Sequence, residues 1–360
     1  MVRIRFILRL LAAVAMAAWP IASGGCASVS RQERFEFTRL CMGVQTRIIT
    51  HAATREAARE GAERAFARIA ALEQAMSDYR PRSELSLLCA RARAGDHAWQ
   101  EVSFDLFRAL ALSQTLAAKT DGAFSATIGP AVRQWREARR TGALPDEAVR
   151  AEAVRLSDWR LLEIDRESRR VRLHEPGVGL DLGGIGKGYA AQAALDELAA
   201  IGLPRSLVAL GGDIAVGLPP WRGEKGEEGW RIALRPGLAE LLLANCAVST
   251  SGDDEQFIEI GGRRYSHIVD PRTGLGVVGG PWVTVIASRG EYADALATAA
   301  SVLGVDDAET LLLDAGAAAV FVEHADGGRS TTTVIDPRGL LRWHAPARAG
   351  TVSPPHQRMP

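Results

Sequence analysis

The order of the hydrophobic patterns along the chain is the feature that most limits how it can fold. Residues 54–76 and 104–119 carry apolar side chains at helical spacing, whereas residues 206–286 consist of short β-like runs broken by glycine and proline. Helical patterns return between residues 291 and 315. Strands and helices therefore do not alternate regularly. This favours an α+β fold, with mixed or antiparallel sheets packed against helices, over a doubly wound parallel sheet.

The composition is that of a globular protein with an ordinary core. Hydrophobic residues make up 47% of the chain and charged residues 24%, close to the average for soluble domains. Because no linker interrupts residues 42–343, we expect a single domain over residues 41–345 and a disordered tail over residues 346–360. The 43 basic and 43 acidic residues cancel. Without a basic face, the sequence supports no nucleic-acid partner.

The N-terminus has the pattern of an export signal. Three arginines among the first nine residues precede an uncharged apolar run over residues 10–22, which is too short to span a bilayer. A basic segment followed by a short apolar segment and small residues is typical of a secretory signal. We therefore expect residues 1–25 to be a signal peptide and residues 26–40 to be a tether.

The first cysteine adds a membrane anchor to this prediction. Cys26 follows the apolar run and two glycines, as at a bacterial lipoprotein cleavage site, although Ser23 stands where such sites usually have leucine. We expect a lipid on Cys26 that holds the exported protein at the bacterial membrane, facing the periplasm. Ordinary signal cleavage near Ala27 is the alternative. The three other cysteines form no CxxC pair, which argues against a zinc or redox motif.

The stretch Asp181–Ala190 (DLGGIGKGYA) is rich in glycine and follows a β-like run. It is not a P-loop, because Asp181 replaces the first glycine and Gly188 replaces the serine or threonine. It is also one residue too short for the dinucleotide fingerprint. Glycines let a backbone approach an anion closely, and a following helix offers free N–H groups at its positive end. With Lys187 the loop suits a phosphate; a tight turn with the lysine in solvent is the alternative.

Two loops in the β-rich part carry candidate catalytic groups. His267 lies in the segment SHIVDPRTG, at the end of a β-like run and before a turn that contains proline. A histidine there can act as a general base or polarise a phosphate near neutral pH. A structural histidine that caps the turn is the alternative. Asp253, at the end of a small polar loop, is a second and weaker candidate.

A carboxylate and a hydroxyl share one helix face near the C-terminus. Asp294 and Thr298 are four residues apart in a helical pattern, so their oxygens point the same way. Oxygen ligands of this kind suit Mg²⁺, which usually keeps waters and phosphate oxygens as its other ligands. The alternative is a helix-start aspartate and a threonine that bonds back to the helix backbone.

Taken in order, these segments resemble the ApbE family, the FAD:protein FMN transferases. The matching segments are residues 42–43, 76–79, 83–85, 122–124, 129–130, 181–190, 210–213, 249–253, 266–274 and 293–298. The resemblance implies a T-fold-like domain in an exported or membrane-tethered enzyme that binds FAD and Mg²⁺. It also implies transfer of FMN to a threonine or serine hydroxyl of a partner protein, typically a subunit of a membrane redox complex, with release of AMP.

The resemblance also implies which residues form the site. The metal would be held by the Gly184 carbonyl with Asp294 and Thr298. Flavin or phosphate contacts are implied for the matching positions Met42, Tyr79, Ala123, Phe124, Ser125, Asp181, Lys187 and His267.

The sequence departs from the family pattern at three positions. Ser125 and Gln192 stand where the family usually has aspartate, and Val44 stands where it usually has threonine. The change at position 125 puts the affinity for flavin, or its binding mode, in doubt more than the chemistry.

In the implied reaction the acceptor hydroxyl attacks the phosphorus on the FMN side of FAD. His267 is the best candidate to orient or deprotonate that hydroxyl, and Asp253 is the second. Two other functions remain open from the sequence. One is a Mg²⁺-dependent FAD pyrophosphatase, since water can attack the same phosphorus. The other is a periplasmic flavin-binding protein without catalysis.

Overall fold

The computed structural model describes residues 32–220, 228–234, 240–252, 257–324, 330–344 and 356–357. The helices in these ranges are α1 (Arg55–Met76), α2 (Glu84–Arg93), α3 (Phe104–Lys119), α4 (Gly129–Thr141), α5 (Glu147–Arg155), α6 (Gly186–Ala200) and α7 (Gly290–Ala315). The two helices predicted first, over residues 54–76 and 104–119, are confirmed as α1 and α3. Thr54 caps α1 through its side chain, which accepts a hydrogen bond from the amide of Ala57 at 3.2 Å.

The strands follow the prediction of a β-rich second half. They are β1 (Glu33–Cys41), β2 (Val44–Ala52), β3 (Gln100–Glu101), β4 (Leu162–Asp165), β5 (Arg170–Leu173), β6 (Ser206–Leu210), β7 (Asp213–Val216), β8 (Trp230–Ala233), β9 (Glu240–Leu243), β10 (Cys246–Ser251), β11 (Phe257–Ile260), β12 (Arg263–Ser266), β13 (Val269–Asp270), β14 (Leu275–Gly276), β15 (Trp282–Ala287), β16 (Ala318–His324), β17 (Ser330–Ile335), β18 (Trp343–His344) and β19 (His356–Gln357). Nine of them form one sheet in the order β1-β2-β6-β7-β10-β15-β16-β17-β19. All its neighbouring strands are antiparallel except β17 and β19.

Away from its edges, the large sheet is buried on both faces. Successive residues of β2 show this, because Ile48 packs into the core on the helix side and Ile49 packs into a second core on the opposite side. Helices α1, α3, α6 and α7 all contribute to the first core, while β8 and β9 contribute to the second. Burial on two faces explains why β6 (SLVAL) is a continuous run of buried residues rather than an alternating one. The α+β prediction is confirmed.

The predicted tether is partly wrong. Residues 33–40, which we expected to lie in it, belong to β1 and pair with β2 along their whole length. The reason is a period of two, since Phe35 and Phe37 pack against the helix-side core while their neighbours point outward. Residues 1–31, with the predicted signal peptide and Cys26, lie outside the described residues. Among the helices that are described, none combines the length and the apolarity needed to cross a membrane.

The predicted tail is partly outside the described residues as well. Within residues 346–360 the structure describes only His356–Gln357, which form the short parallel edge strand β19. This differs from an entirely disordered tail. Backbone pairing with β17, rather than any local sequence pattern, defines the strand.

Helices α6 and α7 cross in close contact and cap each other. A Cβ on Gly188 would lie 2.2 Å from the Gly290 carbonyl oxygen, so neither helix tolerates a side chain at the crossing. The Gly290 amide, in the first turn of α7, donates to Gln192 Oε1 at 3.1 Å. The Gly188 amide, in the first turn of α6, donates to Asp294 Oδ2 at 2.9 Å. Each helix thus satisfies an unpaired amide of the other.

We expect Gly188→Ala to lower the free energy of unfolding by about 1–3 kcal/mol, because the added methyl must push two backbones apart. Gly186→Ala is the matched control, since it lies in the same turn and its Cβ would meet nothing within 4 Å. It should change stability by less than about 1 kcal/mol. Urea unfolding followed by circular dichroism measures both, and equal midpoints would contradict the close crossing.

Candidate functional site

The glycine loop, residues 181–188, is held in shape by its own polar groups. The Gly183 amide donates to Asp181 Oδ1 at 2.7 Å, and the Gly186 amide donates to the Leu182 carbonyl at 2.8 Å. The Asp181 side chain therefore fixes the turn that leads into α6. The loop leads into α6, with the first-turn amides of that helix at its end. The β-like run expected before the loop is not a strand, since β5 ends at Leu173 and the described residues between it and the loop form a single bridge, Ile128–Gly179.

The loop runs along the face of α7 that carries Asp294 and Thr298. A Cβ on Gly184 would lie 3.0 Å from Thr298 Oγ1, and a Cβ on Gly188 would lie 2.5 Å from Asp294 Cβ. Two glycines four residues apart thus face two α7 residues that are also four apart. The structure brings together the three residues expected to hold the metal.

The Thr298 hydroxyl differs from other helical threonines of the chain. Thr115 and Thr141 donate to carbonyls one turn earlier, at 2.9 and 3.0 Å. Within the ranges that the structure describes, the Thr298 hydroxyl makes no such bond, so the back-bonded alternative is not what is seen. A hydroxyl, a buried carboxylate and a glycine backbone form an oxygen-only donor set. These residues fit Mg²⁺.

Lys187 lies between two buried carboxylates. Its Nζ donates to Asp213 Oδ2 at 2.6 Å, and Asp213 Oδ1 accepts from Ser249 Oγ at 2.6 Å. Burial opposes the charge on Lys187, but Asp294 and Asp213 outweigh it and raise the pKa of the ammonium. Burial, followed by repulsion from Asp213, raises the pKa of the Asp294 carboxyl to about 7. The two carboxylates can therefore balance more positive charge than the single ammonium group of Lys187 carries.

A cavity of about 480 Å³ opens beside the loop. Its lining includes Met42, Tyr79, Asp181 and Lys187, four of the residues expected to contact flavin or phosphate. They come from the β1–β2 turn, the segment after α1, and the glycine loop. Residues far apart in sequence therefore meet at one opening large enough for part of a nucleotide.

Met42 is held in a backbone conformation that few residues adopt. It has φ 49° and the following Gly43 has φ 76°, as a two-residue type I′ hairpin turn requires. Asparagine or glycine is usual at the first of these positions, and a residue with a long side chain is strained there. Strain retained at a cavity wall points to a role for the Met42 side chain in the cavity.

An arginine that the sequence did not single out, Arg136, lines the cavity. Arg136 Nη1 donates to Asp78 Oδ2 at 2.6 Å and Nη2 donates to Asp181 Oδ2 at 3.0 Å. Its guanidinium lies 4.3 Å from the centre of the Tyr79 ring. Burial and repulsion from Asp78 raise the pKa of Asp181. Arg136 belongs to an arginine-rich helix, so no local signal distinguishes it from Arg133, Arg139 or Arg140.

The predicted residues 123–125 do not line this cavity. Phe124 lies under the glycine loop, where a Cβ on Gly184 would be 3.2 Å from its ring. Ser125 is buried and shares a hydrogen bond of 2.7 Å with the Thr127 hydroxyl. Ala123 is buried. Phe124 thus supports the loop from below, and a direct flavin contact for residues 123–125 stays a prediction.

Of the two predicted catalytic residues, one lies within the described residues and the other does not. His267 is half-buried between β12 and β13, and it is not part of the cavity lining. Its neighbour Ser266 fixes the segment, because the Ser266 carbonyl accepts from Trp135 Nε1 at 3.1 Å and its amide donates to the Val277 carbonyl at 2.8 Å. Asp253 lies outside the described residues. The catalytic role of either residue stays a prediction.

Comparison with known proteins places this site in a family. The sequence model of the ApbE family matches residues 42–321, which include the turn of Met42, the glycine loop and the Asp294–Thr298 face. The chain belongs to the ApbE family.

The chain is similar to the FAD:protein FMN transferase of Treponema pallidum. It is 30% identical over 333 residues, which cover 87% of this chain and 91% of the relative. A FAD:protein FMN transferase of Rhodobacter capsulatus is 32% identical over 254 residues, and that match covers 68% of this chain and 47% of the relative's length. As an ApbE protein, the chain is an enzyme of the transferase class.

Solved ApbE structures agree with the single-domain fold. The apo form of the flavinyl transferase ApbE from Pseudomonas stutzeri is 27% identical, with a TM-score of 0.73 over 85% of this chain and 96% of that chain. The ApbE protein of Thermotoga maritima is 28% identical, with a TM-score of 0.71 over 83% and 96% of the two chains.

We expect Met42→Asn to raise the free energy of unfolding by about 0.4–1 kcal/mol, because asparagine tolerates positive φ at this turn. Arg169→Asn is the matched control, since Arg169 also has positive φ, at 54°, in the β4–β5 hairpin away from the cavity. It should give a similar gain. Chemical unfolding measures both. A loss of stability in Met42→Asn alone would mean that the side chain stabilises the fold more than its backbone strain costs.

Proposed function

We propose that the chain transfers FMN from FAD to a threonine or serine hydroxyl of a partner protein, in a Mg²⁺-dependent reaction that releases AMP. The observation that carries this proposal is the contact of the glycine loop with Asp294 and Thr298. Lys187 of the same loop lines the adjacent cavity. The names of the ApbE relatives support the identity of donor and product. The metal, the acceptor hydroxyl and the leaving group are inferences from the chemistry of the site.

In this proposal the site would bind the two halves of the donor at different places. The loop backbone and Lys187 would hold the pyrophosphate, because both present positive charge to an anion. The side chains of Met42 and Tyr79 would contact the planar ring at the other end of the cavity. Mg²⁺ held by the Gly184 carbonyl, Asp294 and Thr298 would supply neutralisation of charge on the phosphates.

The transfer is a substitution at the phosphorus on the FMN side. The acceptor oxygen forms a bond to this phosphorus while the bridging bond to the AMP phosphate breaks, so AMP leaves with the bridging oxygen. The proton of the acceptor hydroxyl must be removed. His267 is our first candidate for that step and Asp253 the second. His267→Ala should slow transfer strongly, and an unchanged rate would exclude it.

The decisive assay measures AMP release from FAD with Mg²⁺ or with EDTA, in the presence and absence of an acceptor domain that carries a threonine. Covalent flavin is read on the same samples by in-gel fluorescence. AMP together with a fluorescent acceptor band supports the transferase. AMP without a band, even with several acceptors, would mean a pyrophosphatase. FAD binding without AMP would leave a flavin-binding protein.

Thr298→Val tests the metal site with little structural disturbance, because the hydroxyl makes no hydrogen bond within the described residues. We expect the rate of AMP release at limiting Mg²⁺ to fall about tenfold to a hundredfold, with partial recovery at high Mg²⁺. Thr141→Val is the matched control, since that hydroxyl bonds back to the Glu137 and Ala138 carbonyls of its own helix. A rate equal to that of the control would remove Thr298 from the metal site.

We also propose that the enzyme is exported and held at the membrane by a lipid on Cys26, as its N-terminal sequence indicates. Cys26→Ser should move the protein from the membrane fraction to the soluble periplasmic fraction. Metabolic labelling with a radioactive fatty acid should mark only the wild-type chain. Soluble, unlabelled wild-type protein would favour ordinary signal cleavage instead.

A further inference from the structure

Arg136 joins two parts of the cavity that the sequence keeps far apart. One guanidinium nitrogen binds Asp78, which precedes Tyr79, and the other binds Asp181, which begins the glycine loop. Asp181 in turn accepts from the Gly183 amide at 2.7 Å. A continuous chain of polar contacts therefore runs from the segment that carries Tyr79 to the loop that faces the metal site.

The Tyr79 ring is placed as an open stacking surface. One part of the ring faces the Arg136 guanidinium, 4.3 Å from the ring centre. The side chain is nonetheless 74% exposed, which makes it one of the most exposed large apolar residues in the described part of the chain. An aromatic ring so exposed at a cavity wall, held on one side by a cation, leaves its other face for a planar partner.

The two carboxylates make the arginine rigid. A guanidinium has a fixed fork of donors, and here two of its nitrogens are directed to separate acids. The side chain therefore cannot rotate away from the ring without breaking charge-assisted bonds. Lysine at this position would keep the charge but could not bind both acids and stack on the ring at the same time.

We infer that Arg136 is a positioning residue that holds the Tyr79 ring as a platform for the isoalloxazine ring and ties that platform to the glycine loop through Asp181. The inference rests on the proposed function, because it assigns the planar end of FAD to this side of the cavity. It predicts that Arg136 matters for the flavin half of the donor and much less for the phosphate half.

Arg136→Lys tests this role while keeping the charge. We expect its affinity for FMN, measured by quenching of flavin fluorescence, to fall about fivefold to tenfold, while its affinity for ADP, measured by calorimetry, stays within about twofold. Arg140→Lys is the matched control, since Arg140 lies one turn further on α4 and, among the described residues, pairs with the exposed Glu137 alone. It should change neither affinity. Thermal unfolding of each variant confirms that the fold is intact.

A double substitution shows whether Arg136 acts through the ring. Tyr79→Leu alone should also weaken FMN binding, and adding Arg136→Lys to it should cause little further loss. Unchanged FMN binding in Arg136→Lys would overturn the inference. Equal losses for FMN and ADP, or a full further loss in the Tyr79→Leu background, would also overturn it, because Arg136 would then not act through the Tyr79 ring. Wild-type protein that binds ADP and FMN but releases no AMP would refute the transferase proposal and leave the platform standing.

Discussion

The contact between the first turns of α6 and α7 is the constraint on which the site depends. Two glycines, Gly188 and Gly290, bring the backbones together, and Gln192 and Asp294 then cap the opposite helix across the contact. Asp294 is also a predicted metal ligand, so the same carboxylate caps α6 and would bind the metal. Any change that separates the helices would remove the cap of α6 and move the metal ligand away from the loop at once.

Charge is distributed around this contact so that it can accommodate an anion and a cation together. The two carboxylates of Asp213 and Asp294 can carry more negative charge than the single positive charge of Lys187 balances. The glycine loop presents backbone amides, and its one acidic side chain is that of Asp181. A buried carboxyl whose pKa is raised is stabilised in its charged form by a nearby cation. A metal and a pyrophosphate would therefore neutralise part of each other's charge here, and we expect each to bind more weakly without the other.

Local patterns allowed much of this structure to be predicted, and long-range contacts account for most of what was missed. Helix α1 and its cap follow from periodicity and from Thr54, and the Asp294–Thr298 face follows from a spacing of four. The helical pattern of residues 291–315 is present as α7, which Gly304 interrupts with a φ of 78°. Arg136 could not be found, since its partners lie 58 and 45 residues away. Strand β1 was missed because only two phenylalanines mark its period.

Helix α4 has adjacent residues that serve different parts of the molecule. Trp135 is buried and bonded to the carbonyl before His267, whereas Arg136 reaches the cavity wall. A helix moves as a stiff rod, so a displacement at one of these side chains is transmitted to the other. A shift of α4 would therefore affect both the segment that carries His267 and the wall of the cavity.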